Sequence, residues 1–343
     1  MAGERSILYI GNRLTKHGFN PTTIDLLSEK LGRRYSIQTT SSARNSLGRL
    51  LDMLTSVYRL RKQVDLVLID TYSTLAFYYA FLSGALCKLL GLKYVPILHG
   101  GDLPARLVSS SKMCRMLFGR SYVNVSPSLF LKDIFEGQGY KVRHIPNFIE
   151  IDNYPFRMRS RTRPKLLFVR SFHKQYNPVL AVRILKATLE SFQDSTLCMV
   201  GPDKDGSLHA VTSTAKELRL SDRLRITGGL SKKEWTALSV DYDFFINTTN
   251  YDNMPVSVIE AMALGMVVIS TNVGGLPRII KHGVNGILVE PDNQAQFASW
   301  IKRIVNNPAL AESLSWGARR TAEQFDWSRI EPVWTELIDS ARE

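Results

Sequence analysis

Cysteine is scarce in this chain. The three residues Cys87, Cys114 and Cys198 are an odd number among 343, with no Cys-x-x-Cys pair and no histidine close by. That excludes a disulfide framework and a structural zinc site, and it suits a reducing compartment. Long apolar runs are missing too. The uncharged stretch from Thr71 to Cys87 is at the short limit for a membrane span and carries Thr, Ser and Gly, so it reads as a helix buried against a sheet. Nothing near Met1 resembles a signal peptide, since Glu4 and Arg5 lead straight into a short apolar run, and the expectation is a cytoplasmic protein. No Gly-x-Gly-x-x-Gly follows the first strand-like run, where the sequence reads NRLTKHG; a dinucleotide oxidoreductase is thereby disfavoured. There is no RNA-binding aromatic signature, zinc finger or recognition helix, so nucleic acid is not an expected partner.

What is present is an ordinary globular composition, 44% hydrophobic and 22% charged, which excludes disorder for most of the chain. The net charge of +13 is uneven: residues 1–160 hold 22 Lys/Arg against 11 Asp/Glu, and residues 161–343 hold 22 against 20. A basic half suits an acidic substrate or an anionic membrane face.

Short strand-like runs alternate with longer helical ones. ILYIG (7–11), VDLVLID (64–70), KYVPILHGG (93–101), SYVNVSP (121–127) and KVRHIPN (141–147) make a first series. KLLFVRS, TLCMVGP, RLRITGG, YDFFINTT, MVVIST and GILVEP make a second. Alternation of this kind implies parallel strands joined by crossovers, hence two open α/β domains. The expected boundaries are a first domain over 1–151, a linker over 152–164 (DNYPFRMRSRTRP, two prolines and four arginines), and a second domain over 165–326, with the amphipathic helix 327–343 packing back on the first. In such folds ligands bind outside the carboxyl ends of the strands.

The most informative stretch is residues 242–277, YDFFINTTNYDNMPVSVIEAMALGMVVISTNVGGLP. A strand runs into a polar loop, Pro255 opens a helix closed by Gly265, and a buried strand leads to a glycine pair. Free N–H groups at that helix start suit a diphosphate. Asp252 lies in the loop and Glu260 about one turn into the helix, so both carboxylates can face one bound ligand and accept its hydroxyls.

This ordered string, with HGGD at 99–102, VSPS at 125–128, IPN at 145–147, GVNGILVEPDN at 283–293 and FDW at 325–327, resembles the donor site of family-four retaining glycosyltransferases of the GT-B fold. The resemblance implies two facing Rossmann-like domains with the active site in the interdomain cleft, a nucleotide-diphosphate sugar as donor, and transfer to a hydroxyl with retention. It implies that Glu260 binds the donor ribose, Asp252 holds sugar hydroxyls, and the backbone of Asn253, Met254, Pro255 and Val256 approaches sugar and phosphates. By the same resemblance Arg170 neutralises the leaving diphosphate, His99 meets the sugar, and Gly18 lets the first loop pass close to the reaction centre. Lys174 stands one position earlier than the family's usual lysine and is carried over as a second phosphate cation. No cofactor and no metal are expected; the acidic pair Asp241 and Asp243 flanks Tyr242 at a strand's start, the wrong end for a metal. The alternative is a non-catalytic GT-B protein that binds a sugar nucleotide.

The acceptor falls to the basic half, and a glycan or lipid-linked glycan precursor in surface polysaccharide synthesis fits it. SLGRLLDMLTSVYRLRK (46–62) sets Leu47, Leu50, Leu51, Leu54, Val57 and Tyr58 at helical spacing, ringed by Arg44, Arg49, Arg59, Arg61 and Lys62. It reads either as a helix covering the sheet or as a contact with an anionic membrane surface.

Overall fold

The computed structural model describes residues 5–13, 22–43 and 45–341; Gly18 and Arg44 lie outside the described residues. The chain divides into two compact units, Met1–Pro146 with Ile330–Glu343, and Asn147–Arg329.

Unit 1 is built on six parallel strands: β1 (Ser6–Ile10), β2 (Ser36–Thr40), β3 (Leu66–Thr71), β4 (Tyr94–Leu98), β5 (Asn124–Ser126) and β6 (Val142–His144), in the order β2-β1-β3-β4-β5-β6. β3 and β4 are buried along their whole length, which is why LVLI and YVPIL are apolar, while Asp70 and Thr71 bring polar groups into the end of β3. β2 was not legible in the sequence. Its SIQTT is a polar edge strand with alternating exposure. Topology reverses between β1 and β3, and such a switch point opens a crevice at the strands' carboxyl ends.

Unit 2 repeats the plan with β7 (Lys165–Val169), β8 (Thr196–Val200), β9 (Leu224–Gly228), β10 (Phe244–Asn247), β11 (Val267–Thr271) and β12 (Ile287–Val289), in the order β12-β11-β10-β7-β8-β9. Each strand falls inside one of the six runs read from the sequence. The switch point lies between β7 and β10.

Three expectations are corrected. Residues 152–164 are not a free linker, because they are strapped onto unit 2 with Tyr154, Arg159 and Thr162 buried. Arg157 and Arg163 hold the two oxygens of buried Asp243 at 2.5 and 3.1 Å. Arg159 donates to the carbonyls of Arg157 and Leu264, the latter just past the end of the helix Val256–Ala263. Irregular backbone is legible from Pro and Arg, but the acceptors waiting for those arginines are not. Burial alone would raise the pKa of Asp243; the hydrogen bonds from Arg163 and Arg157 overcome it and hold the carboxyl below its ordinary value.

The second correction concerns the helix Ser46–Leu60. It buries Met53 and Val57, while Leu47, Leu51 and Tyr58 of the expected stripe are exposed. Leucines on two faces left the sequence ambiguous, and the sheet took the narrower one. The third concerns the stretch 71–87, expected as a buried helix: the helix Ala76–Leu89 buries Phe77, Ala80 and Cys87 but exposes Tyr78 and Leu82. No described helix is long and apolar enough to cross a membrane.

The final helix, Trp327–Ser340, enters unit 1 from Ile330 onward. Tyr122 donates to the Ser340 carbonyl at 2.9 Å, and Arg143 meets Glu336 at 2.5 Å. With the boundary drawn at Pro146 the charge asymmetry shrinks: unit 1 holds 21 Lys/Arg against 13 Asp/Glu and unit 2 holds 23 against 18.

Candidate functional site

The switch point of unit 2 gathers most of the residues singled out in the sequence. Arg170 follows β7 directly, and its amide donates to the Val200 carbonyl at 3.0 Å. The guanidinium forms an ion pair with Asp252 and lies 4.4 Å from the centre of the Tyr176 ring. Both members of the ion pair are largely buried, at 15% and 16% exposure. Burial lowers the pKa of Arg170, opposed by Tyr176 and by the negative charge of Glu260. Arg170 and Asp252, expected to address different parts of a ligand, thus touch each other.

The loop carrying Asp252 is fixed from several directions. Gln175 donates to the Tyr251 carbonyl at 2.9 Å, Thr248 to the Tyr176 carbonyl at 2.8 Å, and Thr271 to the Thr249 carbonyl at 2.6 Å. The Gly275 amide donates to the Asp252 carbonyl at 2.9 Å. Gly274 has φ +55°, and a Cβ there would collide with that same carbonyl oxygen, so Gly274 is explained by how closely the two loops pass.

Pro255 caps the helix Val256–Ala263, as its position in the sequence suggested. Asn253 and Met254 are buried beneath the loop, and Asn147 donates to the Met254 carbonyl at 3.4 Å. Glu260 is not a surface charge: it is 4% exposed. Its Oε1 accepts from the Tyr154 hydroxyl at 2.7 Å and from Lys232 Nζ at 2.9 Å. Burial and the charge of Glu260 push the Tyr154 pKa up, so this phenol remains a donor.

Tyr154, Tyr176 and Lys232 were missed in the sequence. Tyr154 sat in the supposed linker, and Lys232 opens a helix distant in sequence. Only Tyr176 carried a signal, as part of the QYN that follows Lys174. Lys174 itself is exposed, and its backbone amide donates to Asp205 at 2.9 Å.

An Asp-x-Asp does occupy a carboxyl-end loop of this unit, which the reading from sequence passed over: Asp203 and Asp205 follow β8. Asp203 accepts from the Gly206 amide at 3.0 Å. Asp205 accepts from Ser207 through amide and hydroxyl and from the Lys174 amide. Those hydrogen bonds hold the Asp205 pKa at about 2. The motif therefore serves turn geometry. Among the described residues no cluster of three or more His, Cys, Asp or Glu is arranged to hold a metal.

The switch point of unit 1 holds His99, just past β4. Its amide donates to the Thr71 carbonyl at 3.0 Å, and Nε2 lies 2.8 Å from Asp70 Oδ1. Gly100 follows because a Cβ there would run into the Ser73 amide. Gly18, assigned to the first loop of this unit, lies outside the described residues.

Residues 151–321 match the family described as Glycosyl transferases group 1. A D-inositol 3-phosphate glycosyltransferase of Thermobispora bispora is 28% identical over 41% of this chain and 35% of its own length. A GDP-mannose:cellobiosyl-diphosphopolyprenol alpha-mannosyltransferase of Komagataeibacter xylinus is 25% identical over 45% of this chain and 39% of its own. The chain thus spans well under half the length of these relatives. The crystal structure of Anabaena HepE in complex with UDP and glucose superposes with a TM-score of 0.76 at 17% identity, covering 98% of this chain and 100% of that one. The fold is GT-B.

Proposed function

Because the chain belongs, over residues 151–321, to the glycosyl transferases group 1 family, we propose that it is a retaining glycosyltransferase moving a sugar from a nucleotide-diphosphate donor to a hydroxyl acceptor. The observation that carries this reading is the buried Arg170–Asp252 pair beside Glu260, set at a switch point next to the start of the helix Val256–Ala263. HepE, of the same fold, is a complex with UDP and glucose, which supports a nucleotide sugar here.

Breaking the bond between sugar and diphosphate develops positive charge on the sugar and negative charge on the phosphate. A guanidinium fixed in a water-poor setting stabilises the second without reorganising. Tyr176 and Asp252 hold Arg170 ready, and the incoming diphosphate replaces the Asp252 contact, freeing that carboxylate for sugar hydroxyls. Glu260, oriented by Tyr154 and Lys232, takes the ribose. In this reading charge neutralisation falls to the side chain of Arg170, fixed by Asp252 and Tyr176.

The acceptor is assigned to unit 1. A lipid-linked or other glycan precursor of surface polysaccharide fits this reading, in line with the relative named for a diphosphopolyprenol. Exposed Leu47, Leu51 and Tyr58 next to exposed Arg59 support a peripheral contact with an anionic membrane surface.

The test is a thermal-shift panel of UDP-, GDP- and ADP-sugars. The right donor at a hundredfold excess over its Kd stabilises by about 2.7 kcal/mol. No shift with any donor overturns the reading, and a shift without turnover of labelled donor would favour the non-catalytic binder, for which the exposed Lys174 speaks.

A further inference from the structure

His99 enters the proposed reaction as the group that meets the transferred sugar, and its own support is a buried acid that this reading leaves unused. Asp70 is the penultimate residue of β3, its carboxylate 1% exposed. Oδ1 accepts two hydrogen bonds at 2.8 Å, from the Tyr9 hydroxyl and from His99 Nε2. Tyr72 stacks on the imidazole with ring centres 5.4 Å apart. Oδ2 has no hydrogen-bond partner among the described residues and faces Gly11, where a Cβ would press on it. Stability alone does not favour this arrangement, because a buried carboxylate oxygen left unmet costs free energy that an apolar residue would not.

We infer that Asp70 is a positioning residue for His99, fixing the tautomer and ring plane that present Nδ1 as an acceptor to a hydroxyl of the transferred sugar. The chemistry is restrictive. An ionised carboxylate only accepts, so the ring must carry its proton on Nε2, and a neutral imidazole then has its lone pair on Nδ1. Tyr9 donates to the same oxygen, so Oδ1 faces two donors and Nε2 sits on it at 2.8 Å. Burial, reinforced by the charge of Asp70, raises the Tyr9 pKa well above its ordinary value and keeps it a donor. Tyr72 limits rotation of the ring about its plane. The inference rests on the proposed role of His99, and its test separates the two.

The tautomer is read directly from ¹⁵N shifts of histidine-labelled protein, with His99 assigned by comparison with His99→Gln, at a pH well above the ordinary histidine pKa of about 6.5. The wild-type ring should show Nε2 protonated and Nδ1 bare. Asp70→Ala should mix the tautomers and lower kcat about tenfold to a hundredfold, as a misplaced reacting group does, with the donor KM changed less than about twofold. Asp70→Asn keeps an acceptor oxygen for Nε2 and should restore the tautomer and most of the rate. Should Asp70→Ala fail to fold, the wild-type tautomer still decides the matter, because reading it needs no change at Asp70. Nδ1 protonated in the wild type, or wild-type tautomer and kcat in Asp70→Ala, overturns the inference while leaving His99 in the reaction if His99→Gln is slow. Full turnover in His99→Gln overturns it by the other route, removing His99 itself.

Discussion

The two switch points hold their carboxylates in opposite ways. In unit 1, Asp70 is met by neutral or ring donors, Tyr9 and His99, and one oxygen stays unmatched. In unit 2, Asp252 and Glu260 are each met by a cation, Arg170 and Lys232. Sheets of the same plan therefore prepare different chemistry: a carboxylate held by Tyr9 and His99 with no Lys or Arg on it in one, and carboxylates each paired with a cation in the other. A charge-balanced site suits a ligand that is itself an anion carrying hydroxyls, because the ligand can exchange partners with the pair instead of leaving a buried charge bare. The arginines differ as well. Those at 157, 159 and 163 turn inward on Asp243 and on backbone carbonyls, whereas Arg59 of unit 1 faces solvent.

The comparison breaks most sharply at Arg170. Arg170→Ala should lower kcat about a hundredfold to a thousandfold and weaken nucleotide binding much less, as steady-state kinetics beside calorimetry would report. Lys174→Ala should do far less, and a larger loss there than at Arg170 would invert the assignment. Next in size is Glu260→Ala, expected to cost about tenfold to more than a hundredfold in kcat/KM for the donor. Lys232→Ala, which removes a half-exposed partner from the same carboxylate, should cost less; equal losses would make the pair a single binding unit.

Gly274→Ala tests whether the loop holding Asp252 is fixed by close approach. With φ +55° and the Asp252 carbonyl in the way, it should lose about 1–3 kcal/mol in urea unfolding. Gly139→Ala in unit 1, at φ +82° with open space around it, should lose less. For the inward arginines, the folded pKa of Asp243 is depressed, so its contribution is present above the unfolded aspartate pKa of about 3.9 and is lost as pH falls through the folded value. Asp243→Asn should be destabilised at pH 7 and should lose less further stability on acidification than the wild type does; parallel urea midpoints against pH would refute this. The remaining test concerns Arg59 and Arg61 of unit 1. Arg59→Glu with Arg61→Glu should weaken salt-sensitive binding to anionic vesicles by about 1 kcal/mol per residue, leaving donor binding unchanged. Equal recovery with neutral and anionic vesicles would return the exposed leucines to the ordinary surface.

Much of this molecule was fixed locally. Eleven of the twelve strands among the described residues overlap runs visible in the sequence, most clearly β4 and β11, which are buried along their whole length. β2 escaped because an edge strand pairs on one side and tolerates SIQTT. Asp252, Pro255, Glu260 and the glycine pair were legible together because one strand, loop and helix carry them within a few turns of chain. Tertiary structure alone decided that Arg170 and Asp252 meet, that Tyr154 and Lys232 close on Glu260, and that Asp70 holds His99. Each of these joins residues far apart in sequence, and no periodicity encodes which strand lies next to which. It likewise decided which of two apolar faces of the helix Ser46–Leu60 went inward, and turned a stretch that looked like a linker into a strap. The deciding physics there was where buried donors and acceptors found partners, a quantity that exists only once the chain has folded.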